Sequence, residues 1–149
     1  MHEEFAELLQ LLGFVRHLPA HPYKAVCQFA EVSAQVAAQI HPIVGRDVTG
    51  FRFSVDSYGL QHALTGHSQE RGSKDHHALL EADILALPAW LIAPLIVKAG
   101  NALKNPLQPP RVRFERLELF STFKTVVISE VRTGRRQLAL ITMYKTEND

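Results

Sequence analysis

An α+β fold, with N-terminal helices packed against a C-terminal curved antiparallel β-sheet, follows from three features of this 149-residue sequence. Apolar residues recur at helical spacing near the start, prolines punctuate the middle, and three strand-like runs fill the end. Helices first and sheet last is the order of a domain whose helices pack on one side of its sheet. The length suits one ordinary domain, and 46% apolar content suffices for a single core.

From Glu3 to Phe14, the apolar residues Phe5, Leu8, Leu9 and Leu12 share a helical face, and Glu3, Glu4 and Glu7 favour the first turn through the helix dipole. Pro19 and Pro22 break that helix. A second, rich in Ala and Gln, is expected from Tyr23 to Ile40, stopping before Pro42. Residues 1–50 are thus expected to be a helical N-terminal segment, either a delivery or linker segment or an appended hairpin. Gly45 and Gly50 mark a loop, and Phe51 to Val55 reads as extended. Asp56 is a good N-cap for a helix through His62 and His67. The polar stretch from Gln69 to His77 reads as a loop. Glu81 to Trp90 and Ala93 to Val97, interrupted by Pro88 and Pro94, predict two short helical turns. Arg111 to Phe120, Phe123 to Val131 and Arg135 to Tyr144 then read as an antiparallel meander, with Thr133-Gly134 at its last turn.

Cys27 is the single cysteine, so no internal disulfide forms, and no Cys-x-x-Cys pair is present for a structural zinc. The start, Met1-His2-Glu3-Glu4, is acidic, and no apolar run approaches the roughly 18 residues of a membrane-spanning helix, so no membrane association is expected. The net charge of +1 hides an asymmetry: residues 1–100 hold seven Lys/Arg against ten Asp/Glu, and residues 101–149 hold nine against five. The basic excess therefore lies in the strand-rich part. It suits a polyanion, although a solvated sheet face has the same composition.

Chemistry concentrates in two places. His62 and His67 are five residues apart, about 140° around an ideal helix, which is not the i, i+4 pair of a helical zinc site. A metal-free acid and base pair is the better expectation for them. In the last strand, simple alternation puts Leu138, Leu140, Thr142 and Tyr144 on one face and Ala139, Ile141, Met143 and Lys145 on the other. The leucines assign the first face to the core, with Thr142 and Tyr144 at its polar end. Arg111 and Arg113 share a face opposite Val112 and Phe114 and suit phosphates, or equally the protection of a sheet edge. Glu130 lies on the face opposite Ser129, as a second base or a cross-strand partner for an arginine.

The series His62-Ala63-Leu64-Thr65-Gly66-His67, Glu81-Ala82-Asp83-Ile84, Leu87-Pro88, Ala93-Pro94, Val127-Ile128-Ser129-Glu130-Val131 and Leu138 to Lys145 resembles the barnase, EndoU, colicin and RelE-like (BECR) nuclease superfamily. The branch it looks like is that of phage head proteins and polymorphic toxins, of the type at the C-terminus of contact-dependent inhibition toxins. The resemblance spans roughly residues 51–146, so residues 51–149 are expected to be the nuclease domain. It implies a metal-independent toxin ribonuclease without a cofactor. Its expected substrate is RNA, tRNA in particular, and its expected partner is a cognate immunity protein. Secretion or delivery within a larger toxin, with action in the target-cell cytoplasm, is implied as well.

The mechanism implied is attack by the RNA's own 2′-hydroxyl, leaving 2′,3′-cyclic phosphate and 5′-hydroxyl ends. His62 and His67 are the expected base and acid in either order. Thr142 and Tyr144 are expected to donate to the phosphoryl oxygens, with Lys145 stabilising charge and Arg71, Arg111 and Arg113 binding RNA. Two other classes are compatible with the chain. One is a catalytically silent interaction domain of a phage head protein, which predicts buried histidines; the other is a toxin of the ADP-ribosyltransferase type.

Overall fold

The computed structural model describes residues 2–17, 25–67, 81–92, 94, 96–100, 107–118 and 122–147, with side chains described from residue 6 to 13 and from 25 to 63 in the first two segments. Its elements are α1 (His2–His17), β1 (Val26–Glu31), α2 (Ala34–Val44), β2 (Arg52–Asp56), α3 (Ser57–His67), α4 (Glu81–Leu85), α5 (Leu87–Trp90), β3 (Ile96–Ala99), β4 (Arg111–Leu117), β5 (Phe123–Arg132) and β6 (Gln137–Glu147). Among the described residues, six strands form one sheet in the order β1-β2-β6-β5-β4-β3. The chain has the expected α+β class.

The meander expected at the C-terminus is present as β4, β5 and β6, paired antiparallel in sequence order. The sheet is larger than that and mixed, because β2 runs parallel to β6, with Phe53 beside Leu138. Two expectations need correction. The predicted helix from Tyr23 to Ile40 is instead β1 followed by α2, and β1 pairs antiparallel with β2, from Val26 opposite Asp56 to Glu31 opposite Arg52. A boundary at residue 50 therefore falls between two neighbouring strands, and the first 50 residues are not a purely helical appendage. Likewise, of the helical turn expected at Ala93 to Val97, Ile96 and Val97 are instead in β3, which pairs with β4, and residues 93 and 95 lie outside the described residues.

Local signals account for the helices that frame the sheet. The Ser33 hydroxyl caps α2 by accepting from the Val36 N–H at 3.2 Å. At the other end Gly45, at φ 70°, takes the left-handed conformation that ends helices, its N–H returning to the His41 carbonyl at 2.8 Å. The helix runs past Pro42, before which the sequence predicts its end, to Val44, with Val36, Ala37 and Ile40 buried in the core. Asp56 starts α3 as predicted, accepting from the Gly59 N–H at 2.7 Å. A side chain at Gly59 would meet the Leu140 carbonyl oxygen at 3.0 Å, so glycine is what lets α3 lie against β6.

The buried residues of all five helices join one cluster. Leu8, Leu12, Ile40, Leu60, Ile84 and Leu87 meet Val112, Phe114, Val127, Leu138 and Met143 there. Phe53 anchors it, stacked on Phe29 with ring centroids 6.1 Å apart and edge-on to Phe114 at 5.4 Å. Each such fully buried side chain contributes about 1.5–3 kcal/mol through removal from water. This packing makes one side of the sheet the core face and leaves the other to polar residues.

Candidate active site

A single irregularity in β6 decides which residues reach that polar face. Ser129 of β5 faces Leu140, yet Ile128 faces Thr142, so Ile141 is an extra residue, a β-bulge. Before it, Leu138 and Leu140 point into the core; after it, Met143 and Lys145 do. Thr142 and Tyr144 are therefore on the polar face, opposite the side that uninterrupted alternation assigns them. Lys145 is correspondingly on the helix side, its Nζ 3.0 Å from Asp83 Oδ2 of α4.

The expected constellation is thus divided. Thr142 and Tyr144 share the polar face with Arg111 and Arg113, since Arg113 lies opposite Ile128, which lies opposite Thr142. The Arg113 Nη1 donates to the Tyr144 hydroxyl at 3.3 Å. Lys145 belongs to the other side of the sheet. His62 is exposed on α3, between Leu60 and Ala63, which face the core. It is not the buried histidine that a silent interaction domain predicts. His67 is the last residue of α3, and its side chain lies outside the described set, as does Arg71 altogether. Arg111 is half-buried, and its Nε has no hydrogen-bond partner among the described residues. Glu130 accepts from Arg132 Nε at 3.0 Å, a partner two residues along its own strand and not the cross-strand arginine expected, while Arg111 lies directly opposite it in β4.

The most developed chemistry on this face centres on a residue that the sequence reading passed over. Glu115, only 1% exposed, takes Arg113 Nε at 2.6 Å and Lys98 Nζ at 3.1 Å on one carboxylate oxygen and Lys124 Nζ at 3.2 Å on the other. Sheet register produces the cluster: Lys98 lies opposite Arg113 across β3 and β4, and Lys124 comes from the start of β5, opposite Leu117. Val126 and Ile128 form a buried apolar floor outside the main core, with Glu115 and Tyr144 opposite the first and Arg113 and Thr142 opposite the second. Burial is the strongest single influence on the Glu115 carboxyl and pushes its pKa up. The hydrogen bonds from Lys98, Arg113 and Lys124 together outweigh it and hold the group below the usual carboxylate range.

Three cations against one carboxylate leave local positive charge, with the Tyr144 phenol beside it. Such a site accepts an anion with several oxygens. Glu115 was discoverable in principle, because the alternation that places Arg111 and Arg113 on one face places Glu115 there too. Lys98 and Lys124 were not, since only strand pairing brings them in. Among the described residues, no group of three or more His, Cys, Asp or Glu side chains is arranged to hold a metal ion. No protein-family model, curated protein or solved structure matches this chain.

Proposed function

We propose that the chain is a ribonuclease that cleaves RNA without a metal, and that the polar face around Glu115 is its active site. The observation that carries this reading is the convergence of Lys98, Arg113 and Lys124 on one buried carboxylate, with the Tyr144 hydroxyl held by Arg113. A phosphodiester entering the face competes with Glu115 for the same three cations. As they turn to the phosphate, the carboxylate loses the partners that hold its proton affinity down and becomes a better base.

In this mechanism Glu115 takes the proton of the ribose 2′-hydroxyl, and the 2′-oxygen bonds to phosphorus. The bond from phosphorus to the 5′-oxygen breaks, and that oxygen takes a proton from the Tyr144 phenol. The products are a 2′,3′-cyclic phosphate and a 5′-hydroxyl. Arg113, Lys98 and Lys124 stabilise the charge of the pentacoordinate phosphorus. Thr142, on the same face, is assigned a hydrogen-bonding role toward the substrate. The same reading takes tRNA as the RNA, a toxin delivered to a target-cell cytoplasm as the context and an immunity protein as the inhibitor. Those three elements are supported by the sequence resemblance.

A second reading, an anion-binding module without catalysis, is favoured by one observation: Glu115 is fully engaged and held ionised. Incubation with total RNA in EDTA, followed by end-mapped sequencing, separates the two. Discrete fragments ending in cyclic phosphate support the enzyme; bound but intact RNA supports the module.

A further inference from the structure

The charged row of the polar face continues past Arg113. Arg111 lies opposite Glu130, and Arg132, two residues on along β5, binds Glu130. Beyond this pair the chain turns through Thr133–Arg135. There a groove of about 750 Å³ opens, lined by Arg46, Pro109, Pro110, Glu130, Arg132 and Arg135 among others. Three arginines face one carboxylate in it, and Arg46 and Arg135 are exposed and form no ion pair among the described residues.

The two loops that carry these free arginines are tied together. Arg136, in the left-handed conformation at φ 54°, lays its guanidinium 5.3 Å from the centre of the Phe51 ring and donates to the Thr49 carbonyl at 3.4 Å. Its own carbonyl accepts from the Arg52 N–H at 3.1 Å. The loop after α2 is thereby held beside the β5–β6 turn, so the backbone segments that carry Arg46 and Arg135 line one groove. Pro109 and Pro110 add an apolar wall to the cationic one.

We infer that this groove is a subsite for single-stranded RNA, holding phosphates that flank the one cleaved at Glu115; the inference rests on the ribonuclease reading. Its volume is in the range of pockets that take a ligand the size of one or two nucleotides. Ile128, opposite Arg113, and Arg132 are four residues apart on one strand, about 13 Å at roughly 3.3 Å per residue. A stacked strand advances about 3.4 Å per nucleotide, so a dinucleotide with its phosphate at Arg113 does not reach Arg132, whereas a hexanucleotide does.

The test is the double variant Arg46→Gln/Arg135→Gln against di- and hexaribonucleotides, with 2′-deoxy versions for binding. Both side chains are exposed, and an unchanged melting curve verifies folding. The expected result is weaker hexanucleotide binding, with the dependence of log Kd on log salt reduced by about 1.4, or about 0.7 for each of two lost phosphate contacts. Dinucleotide cleavage stays at the wild-type rate. Unchanged hexanucleotide affinity and salt dependence, in a wild-type protein that does cleave RNA, overturns the subsite and leaves the ribonuclease reading standing. So does a variant that loses binding only to an acidic peptide such as polyglutamate. A wild-type protein that neither binds nor cleaves either oligonucleotide overturns both.

Discussion

Replacing Glu115 with Gln removes the one negative charge in a cluster of three cations and keeps the size of the side chain. The consequences differ for each partner. Lys98 is 52% exposed and turns to water, Arg113 is 23% exposed and keeps the Tyr144 hydroxyl, but Lys124 is 6% exposed and loses its anionic partner. Stripping one member from a buried ion pair costs about 3–5 kcal/mol. With two of the three cations able to find other partners, the lower end, about 3 kcal/mol, is the expected loss. At a urea dependence of about 2 kcal/mol per molar, that moves the unfolding midpoint down by about 1.5 M. The pH dependence has a definite sign. The folded carboxyl titrates below its ordinary value of 4.5, so its stabilisation is complete above that value and is lost as pH falls through the lowered one. The gap between wild type and Glu115→Gln should therefore stay level from neutral pH to about pH 5.5 and close in stronger acid. Cleavage should fall by about 10²–10⁴-fold, the usual contribution of a general base. RNA affinity should hold or rise, because the carboxylate no longer competes for the cations. Equal urea midpoints at pH 7, or a gap that persists unchanged to pH 3, would refute this account of the cluster; wild-type cleavage would refute the catalytic role.

Tyr144→Phe should lower kcat by about 10²-fold or more through loss of a proton donor, with little change in the urea midpoint; an unchanged kcat would remove Tyr144 from the mechanism. His62→Ala should stay within a few-fold of wild type, because α3 packs on the core side of the sheet; a loss of about 10²-fold or more would return the reaction to a histidine-centred site. Cys27 is buried with its thiol 3.8 Å from Glu7 Oε2, and burial first, then the Glu7 charge and hydrogen bond, push its pKa up to about 12. It should resist a thiol-specific reagent at pH 8 until the protein is unfolded, and fast labelling of the native state would contradict that placement. Deletion of Ile141 should leave Thr142 and Tyr144 on the polar face and cost less than Leu140→Ala, which empties core volume at about 2–5 kcal/mol. Comparison of the two urea midpoints checks it.

The fold class and the β4–β5–β6 meander were legible because the three strands are rich in residues that favour extended chain and Thr133-Gly134 marks the last turn. Helix α3 was legible from Asp56. β1 and β3 were not, for a shared reason: both pair with one neighbour only, at the edges of the sheet. Val26-Cys27-Gln28-Phe29 alternates in burial but not in sequence, since Val26 and Cys27 are both apolar, and it sits among the Ala and Gln residues of a good helix; pairing with β2 decides against the local preference. The parallel contact of β2 with β6 joins Phe53 to Leu138, a link with no local signature at all.

The candidate site was half legible, and the missing half follows from one residue. Alternation along Leu138, Leu140, Thr142 and Tyr144 is a sound rule for a regular strand, and the leucines do point inward. A bulge reverses the rule for every residue beyond it, because two residues then oppose one. Nothing in Leu140-Ile141-Thr142 announces this: Ile is a favourable strand residue, and the extra position is defined only by its partners Ile128 and Ser129. The reversal separates Lys145 from Tyr144 and sends them to opposite sides, one to Asp83 and the other to Arg113. A lysine grouped by sequence with a phenol thus becomes a strut to α4, while the phenol joins the cations around Glu115. His62, exposed on α3, is set apart from Thr142 and Tyr144 by the same step. What makes the polar face a site is therefore sheet register, which brings residues 98, 113, 115, 124 and 144 together from four strands.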